Sequence, residues 1–147
     1  MHPHDFLSSY DRPALYRIGK RYVCCAFAKK DVAGRSIPFC KTKDGKNVDF
    51  KRGNAGHVLT KKNDLTGFRE SDLQRIRRLV WIKPILEGKV EQKVYWIEEE
   101  KQRVYYLLSK NYKIILDIKA DGSLRLSTAY TVTDSWGRKK IKRQFKL

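Results

Sequence analysis

One histidine inside the body of the chain stands close to two lysines, a combination that can transfer protons and bind phosphate. His57 follows Gly56, and Lys61 and Lys62 come shortly after it. Cleavage of RNA without a metal needs a base for the ribose 2′-hydroxyl, an acid for the leaving 5′-oxygen and cations around the phosphate. His57 could act as the base or the acid, and Lys61 could be a cation beside the phosphate. A lone histidine is, however, more often structural.

Other catalytic chemistries find no support in the sequence. Walker, Rossmann, HExxH and GxSxG motifs are absent. The acidic residues are scattered, apart from the run 98–100 on an expected turn, and so do not predict a magnesium site. The remaining candidate ligands lack metal-binding spacing: His2, His4, Cys24, Cys25 and Cys40. We therefore expect reduced thiols, a solvated His-Pro-His terminus, no metal and no cofactor.

The charge of the chain favours a polyanionic partner. The 147 residues include 33 basic and 16 acidic ones, a net charge of +17. Residues 101–147 hold 12 basic and 3 acidic residues, so the excess is greatest near the carboxyl end. Eight tyrosines and three tryptophans can stack on bases. Nucleic acid is the first expectation, and a basic surface that serves only solubility is the alternative.

Length and hydropathy predict one domain, 1–147, with a core of its own. An apolar run long enough to cross a membrane is missing, and a secretory signal is not visible at the amino terminus. We expect no membrane partner.

Residues 103–132 predict a three-stranded meander, because apolar alternating runs are separated there by short turn signals such as Asp121-Gly122. A further strand is expected at 90–97, and a hairpin around Asp44-Gly45. Residues 22–28 fit a strand or a buried helix, and we favour the strand.

A helix is predicted over 69–85, with Ser71 as its cap and Pro84 at its end. Three arginines lie opposite its apolar side, either as a solvated surface or as a functional one. Those arginines are Arg75, Arg77 and Arg78. In the basic tail 138–147, Ile141 and Phe145 are four residues apart, so the tail could dock on the domain as a short helix or as a last strand.

Four short motifs carry a family resemblance: Gly56-His57-Val58-Leu59, a helix that ends near Val80–Pro84, the Tyr105-Tyr106 pair, and Ser127-Thr128-Ala129-Tyr130. In this order they resemble the ribonuclease superfamily of barnase, EndoU, colicin-type and RelE-like toxins, known as the BECR fold, and in particular its phage and polymorphic-toxin branch. The resemblance covers 53–132.

The resemblance implies an α+β fold in which mixed or helical N-terminal elements pack on a four-stranded antiparallel sheet. It implies that His57 is the general acid or base, that Thr128 binds phosphate through its hydroxyl, and that Tyr130 stacks on a base or supports proton transfer. Lys61 is added because it is close to His57 in sequence, and it would stabilise the transition state. Further RNA contacts are expected from Lys62, Arg103, Lys113, Arg125 and Ser127. The product would be a 2′,3′-cyclic phosphate, which requires RNA because DNA lacks the attacking hydroxyl.

Strict strand alternation opposes part of this assignment. It places Thr128 and Tyr130 on the same side as Leu124 and Leu126 and turns Arg125 the other way. Two arrangements remain open. A bulge near Ser127 re-aims Thr128 and Tyr130, or both pack in the core and Arg125 with Ser127 form the site.

The sequence thus predicts a metal-independent endoribonuclease toxin of hydrolase or lyase type, acting on tRNA or another structured RNA. An acidic immunity or antitoxin protein would restrain it. Its site of action would be cytoplasmic, with delivery into a target cell left open. The main alternative is a non-enzymatic nucleic-acid-binding accessory protein of a phage or mobile element. A DNA-processing enzyme is the third hypothesis.

Overall fold

A computed structural model describes residues 12–62, 65–67 and 69–147, so His2 and His4 lie outside the described residues. It has the α+β class that the sequence predicts, with helices against both faces of a curled, mixed six-stranded sheet. Across that sheet the strand order is β1, β2, β8, β7, β6, β5. Their bounds are β1 Cys40–Lys41, β2 Asn47–Asp49, β5 Val94–Glu99, β6 Gln102–Leu107, β7 Tyr112–Ile118 and β8 Leu124–Thr131.

The sheet is larger than the predicted four antiparallel strands. Strands β5 to β8 form an antiparallel meander, with Gly122 at positive φ in the last turn. The hairpin β1–β2 then extends the sheet, because β2 pairs in parallel with β8 and β1 pairs antiparallel with β2. Its turn contains Gly45 at φ 92°, so the predicted Asp44-Gly45 hairpin is confirmed. Such short strands leave too little periodicity to reveal their place in the sheet.

The amino-terminal part of the described chain is helical. Helix α1 (Arg12–Tyr22) continues directly into a π-helical turn over Val23–Phe27, so the strand favoured there is wrong. Val23 and Phe27 are buried, whereas Cys25 between them is exposed. That spacing of four residues is the helical period, which a short apolar run does not distinguish from a buried strand. All three cysteines are free thiols.

The predicted helix over 69–85 is broken into several elements. Its first residues form β4 (Arg69–Ser71), which pairs with β3 (Thr60–Lys62) in a separate ribbon. Helices α3 (Leu73–Arg77) and α4 (Ile82–Glu87) follow, joined by a 3-10 turn at Leu79–Trp81. The helical spacing of the apolar residues in this segment is confirmed, but it is divided between two short helices and the turn that joins them.

Both predicted ends of that helix are corrected. Asp72, not Ser71, caps α3, and its carboxylate accepts hydrogen bonds from the main-chain N–H groups of Gln74 and Arg75. Pro84 lies in the first turn of α4, where its missing N–H is tolerated. The helix instead ends at Gly88, whose φ of 72° is in the left-handed region.

The hydrophobic core lies between the helices and one face of the sheet. Buried residues from the helical part include Val58, Ile76 and Leu86, and they pack against Leu116 and Leu126 of the sheet. Helix α5 (Ser135–Gln144) covers part of the opposite face through Ile141, and Phe145 lies 6.2 Å from the ring of Tyr106. The helical alternative for the basic tail is thus confirmed. Among the described helices, none is long and apolar enough to cross a bilayer.

Candidate functional site

A β-bulge in β8 decides which side chains face outward. Ile115 pairs with Thr128 and the next residue, Leu116, pairs with Leu126, so Ser127 is the extra residue of the bulge. An extra residue shifts the alternation of everything that follows it. Thr128 and Tyr130 therefore leave the core side of the strand and join Arg125 on the other face. Of the two arrangements that the sequence left open, the structure has the bulge.

We call the side of the sheet that bears Arg125, Thr128 and Tyr130 the outer face, because it lies opposite the core. Cross-strand pairing arranges its residues in rows. Lys113 and Tyr130 are partners in one row, Ile115 and Thr128 in the next, and Asp117 and Arg125 in a third. Thr128 is 7% exposed and Tyr130 is half-buried. A hydroxyl, a phenol and cations are thereby brought together on adjacent rungs of β7 and β8.

Arg75 joins the outer face to the helix that bears His57. Helix α2 (Ala55–Leu59) holds His57, and the Nη1 of Arg75 donates to the His57 carbonyl at 3.4 Å and to the Thr60 carbonyl at 2.8 Å. The same nitrogen lies 3.4 Å from the Thr128 hydroxyl oxygen. The guanidinium also sits 4.9 Å from the ring centre of Tyr130. One side chain therefore contacts α2, β3 and β8.

A cleft of about 660 Å³ opens between α3 and α5, and we call it the α3–α5 cleft. Its floor includes Lys113 and Tyr130. Five cations line it: Lys61, Arg75, Arg78, Lys113 and Lys140. Two carboxylates line it too, but both have structural tasks, because Asp72 caps α3 and Asp134 caps α5. Five cations against two carboxylates leave the lining of the cleft with an excess of three positive charges, which suits a phosphate group.

A second depression, of about 500 Å³, lies beside His57, and we call it the His57 pocket. Its other lining residues are Lys51, Gly53, Asn54, Asp117, Arg125 and Ser127. The Asn54 side chain donates to the carbonyl of Ser127 at 3.0 Å, which fixes the loop before α2 against the bulge. His57 is exposed, so solvent and ligands can reach its ring.

Arg125 is held in place at the floor of the His57 pocket. Its Nε lies 3.1 Å from the carboxylate of Asp49 on the neighbouring parallel strand β2. Asp49 is buried and also binds the Lys119 ammonium at 2.7 Å. Asp117, the cross-strand partner of Arg125, adds a second carboxylate. With Lys51 and Arg125 against Asp117, the lining of the His57 pocket keeps an excess of one positive charge.

Burial changes the ionisation of two outer-face residues in opposite directions. Removal from water lowers the pKa of Lys113, and the nearby charge of Lys140 lowers it further. Burial raises the pKa of Tyr130, which the positive charge of Arg75 partly offsets. Lys113 thus becomes a better proton donor than an ordinary lysine, and the Tyr130 phenol keeps its proton.

Most of the predicted site residues line one of the two depressions. Lys61, Lys113 and Tyr130 line the α3–α5 cleft, whereas His57, Arg125 and Ser127 line the His57 pocket. Thr128 lies on the rung between the two, and Lys62 is exposed on β3 next to Lys61. Arg103 is on the core side of the sheet and lines neither depression. The site therefore gathers residues from both halves of the chain along β8.

Arg103 is only 2% exposed, and its guanidinium is occupied. It binds the carboxylates of Asp44 at 2.9 Å and Glu98 at 2.6 Å, and it stacks 4.1 Å from the ring centre of Trp96. These contacts tie β6 to the β1–β2 hairpin and to β5. We accordingly leave Arg103 out of the RNA-contacting set.

Replacing Arg103 by Met is expected to lower the free energy of unfolding by about 1–3 kcal/mol, because two carboxylates lose their partner while remaining partly hydrated. Urea unfolding at neutral pH measures this loss. The Arg103→Met, Asp44→Asn double variant serves as the matched control and should lose less than the sum of the single changes. A stability equal to that of the parent would contradict the structural role.

Arg75 is one of the site residues that sequence reasoning did not select. In the predicted helix it lies with Arg77 and Arg78 opposite the apolar side, as part of a solvated or a functional surface, and that placement depends on the helix being continuous. The break after Ser71 and the Asp72 cap turn Arg75 inward, where it forms a 3.3 Å ion pair with Asp72. An acidic residue three positions before an arginine was the available signal.

In the described part of the chain, no group of three or more His, Cys, Asp or Glu side chains could hold a metal ion. Comparison with protein-family models, curated proteins and solved structures gives no match. The BECR resemblance therefore remains a prediction.

Proposed function

We propose that this protein is a metal-independent endoribonuclease that binds and cleaves RNA along β8 on the outer face. One observation carries the proposal. The Ser127 bulge turns Thr128 and Tyr130 onto the face that bears Lys113 and Arg125, and Arg75 links that face to the helix holding His57. Acid–base groups and phosphate-binding cations then lie along one strand, as metal-free RNA cleavage requires.

In the proposed reaction, His57 accepts the proton of the ribose 2′-hydroxyl. The 2′-oxygen forms a bond to phosphorus while the bond from phosphorus to the 5′-oxygen breaks. The leaving 5′-oxygen takes a proton from the Lys113 ammonium, whose lowered pKa favours that transfer. Thr128 and Tyr130 donate hydrogen bonds, and Lys61 and Arg75 stabilise the charge that builds on the phosphate. The products are a 2′,3′-cyclic phosphate and a 5′-hydroxyl.

Cleavage of a labelled structured RNA in EDTA tests this proposal. We expect cutting to persist in the chelator and to yield 2′,3′-cyclic phosphate ends. An RNA with a single 2′-deoxy substitution at the cut site is the matched substrate and should stay intact there, because the attacking hydroxyl is missing. Cutting of the substituted site, or no cutting of any RNA by the parent, would contradict the proposal.

A non-enzymatic nucleic-acid-binding protein is the second candidate. The observation that favours it is the separation of the proposed base and acid, since His57 and Lys113 line different depressions. Such a protein would bind RNA with a steep dependence on salt but leave it uncut. A tRNA substrate, an acidic inhibitor protein and a cytoplasmic site of action remain predictions under the enzymatic proposal.

A further inference from the structure

The first turn of α5 presents an aromatic ring to solvent beside the proposed RNA site. Trp136 is 65% exposed, and it lines the α3–α5 cleft together with Tyr130. The ammonium of Lys140, one helical turn later, lies 5.7 Å from the Trp136 ring centre. A single exposed aromatic needs no explanation by itself. An exposed aromatic at the edge of a cationic cleft matches how proteins bind unpaired nucleotides.

The backbone that carries Trp136 is firmly attached. Asp134 accepts a hydrogen bond from the N–H of Gly137 at 3.2 Å, and Arg138 donates to the carbonyl of Val132 at 3.3 Å. A Cβ at position 137 would lie 2.9 Å from the Val132 side chain, so glycine allows this close approach. The ring therefore extends from a fixed turn, which reduces the entropy lost when a ligand binds.

The positive charge around the Trp136 ring favours an anionic ligand. Five cations and two carboxylates line the cleft, and the cations approach it from α3, from the sheet and from α5. A volume of about 660 Å³ falls in the range of roughly 300–1,000 Å³ typical of small-molecule sites. The cleft thus suits a ligand of nucleotide size that combines a flat ring with phosphate.

From these observations we infer that Trp136 and Lys140 form a binding subsite for an unpaired nucleotide of single-stranded RNA, with the base on Trp136 and its phosphate at Lys140. This inference rests on the proposed function and adds its substrate class. A base inside a duplex has both faces covered by its neighbours, so Trp136 cannot stack on it without disrupting the helix. The subsite therefore directs the protein to loops and single-stranded segments.

Binding of a labelled 2′-O-methyl octauridine tests the subsite without interference from cleavage, because this probe has no free 2′-hydroxyl. Trp136→Ala should weaken binding at least about fivefold, the lower end of what a stacked base contributes, and Trp136→Phe should restore most of it. A blunt RNA duplex of the same length is the matched ligand, and its affinity should not change. Circular dichroism checks that each variant is folded.

Lys140 is tested by the salt dependence of the same binding. Lys140→Gln should reduce the slope of log affinity against log salt by about 0.7, the value for one phosphate contact on a single strand. Lys139→Gln is the matched control, since Lys139 is an exposed neighbour on the same helix that is not among the lining residues of the cleft. Its slope should equal that of the parent.

Two results would overturn the subsite: octauridine binding by Trp136→Ala at parent strength, or an equal loss of affinity for the duplex. Neither depends on catalysis. If the parent cleaves RNA but Trp136→Ala binds octauridine normally, the subsite fails and the proposed function stands. If Trp136→Ala binds poorly but the parent cleaves nothing, the subsite is supported as a binding site and the enzymatic proposal fails.

Discussion

His57→Ala is expected to lower the rate of RNA cleavage in EDTA by about 10²- to 10⁴-fold, the usual contribution of a positioned acid or base. The ring is exposed at the edge of the His57 pocket, beside Arg125 and Ser127. Removing it should leave the fold intact, because an exposed side chain contributes little to the core. Single-turnover cleavage of the same RNA by parent and variant measures the effect.

The matched control is Arg52→Ala, which removes a neighbouring exposed cation that is not among the residues lining the His57 pocket. Its cleavage rate should match that of the parent. Octauridine binding by His57→Ala should also stay near the parent value, since the loss is chemical. Full activity of His57→Ala would remove this residue from the mechanism and favour another base on the outer face.

Arg75→Met should lower cleavage at saturating RNA by about 10²-fold, because small displacements of catalytic groups have effects of this size. Arg75 holds the main chain at His57 and Thr60 and lies against Tyr130. Without the Arg75 guanidinium, α2 and β8 lose the side chain that contacts both, and His57 is no longer held in place relative to β8. A planar guanidinium can serve several acceptors at once, so Arg75→Lys should restore only part of the rate.

Arg78→Met provides the comparison for Arg75. Arg78 lies one residue past α3, lines the same α3–α5 cleft and stacks on Trp81 at 5.2 Å. We expect its loss to raise KM with little change in kcat, whereas the Arg75 variants should lose kcat. If both arginines change only KM, Arg75 is a phosphate contact and does not position His57.

Several features of the fold follow from local sequence signals. The β5–β8 meander was visible because apolar alternation and the Asp121-Gly122 turn agree, and the structure has both. The spacing of Ile141 and Phe145 predicts docking of the basic tail as a short helix or a last strand, and the structure has the helix, α5. These features depend on residues close in sequence, where turn chemistry and periodicity act directly.

The features that escaped prediction depend on distant partners. The parallel pairing of β2 with β8 joins residues more than seventy positions apart, and the three residues of β2 are too few to show a pattern for it. The bulge was one of two open arrangements, because alternation alone cannot show an inserted residue. The role of Arg75 depended on a helix break that the continuous apolar spacing concealed.

The pairing of β2 with β8 also bears on synthesis of the protein. Strand β2 pairs with the sheet only when β8, the strand of this sheet that comes latest in the sequence, is available. Thr128 and Tyr130 arrive with that strand, long after His57 has been translated. A nascent chain that stops before residue 124 thus lacks both the sheet contact and half of the proposed site. If the protein cleaves RNA, it gains this ability only after residues 124–131 have been translated and paired with the rest of the sheet.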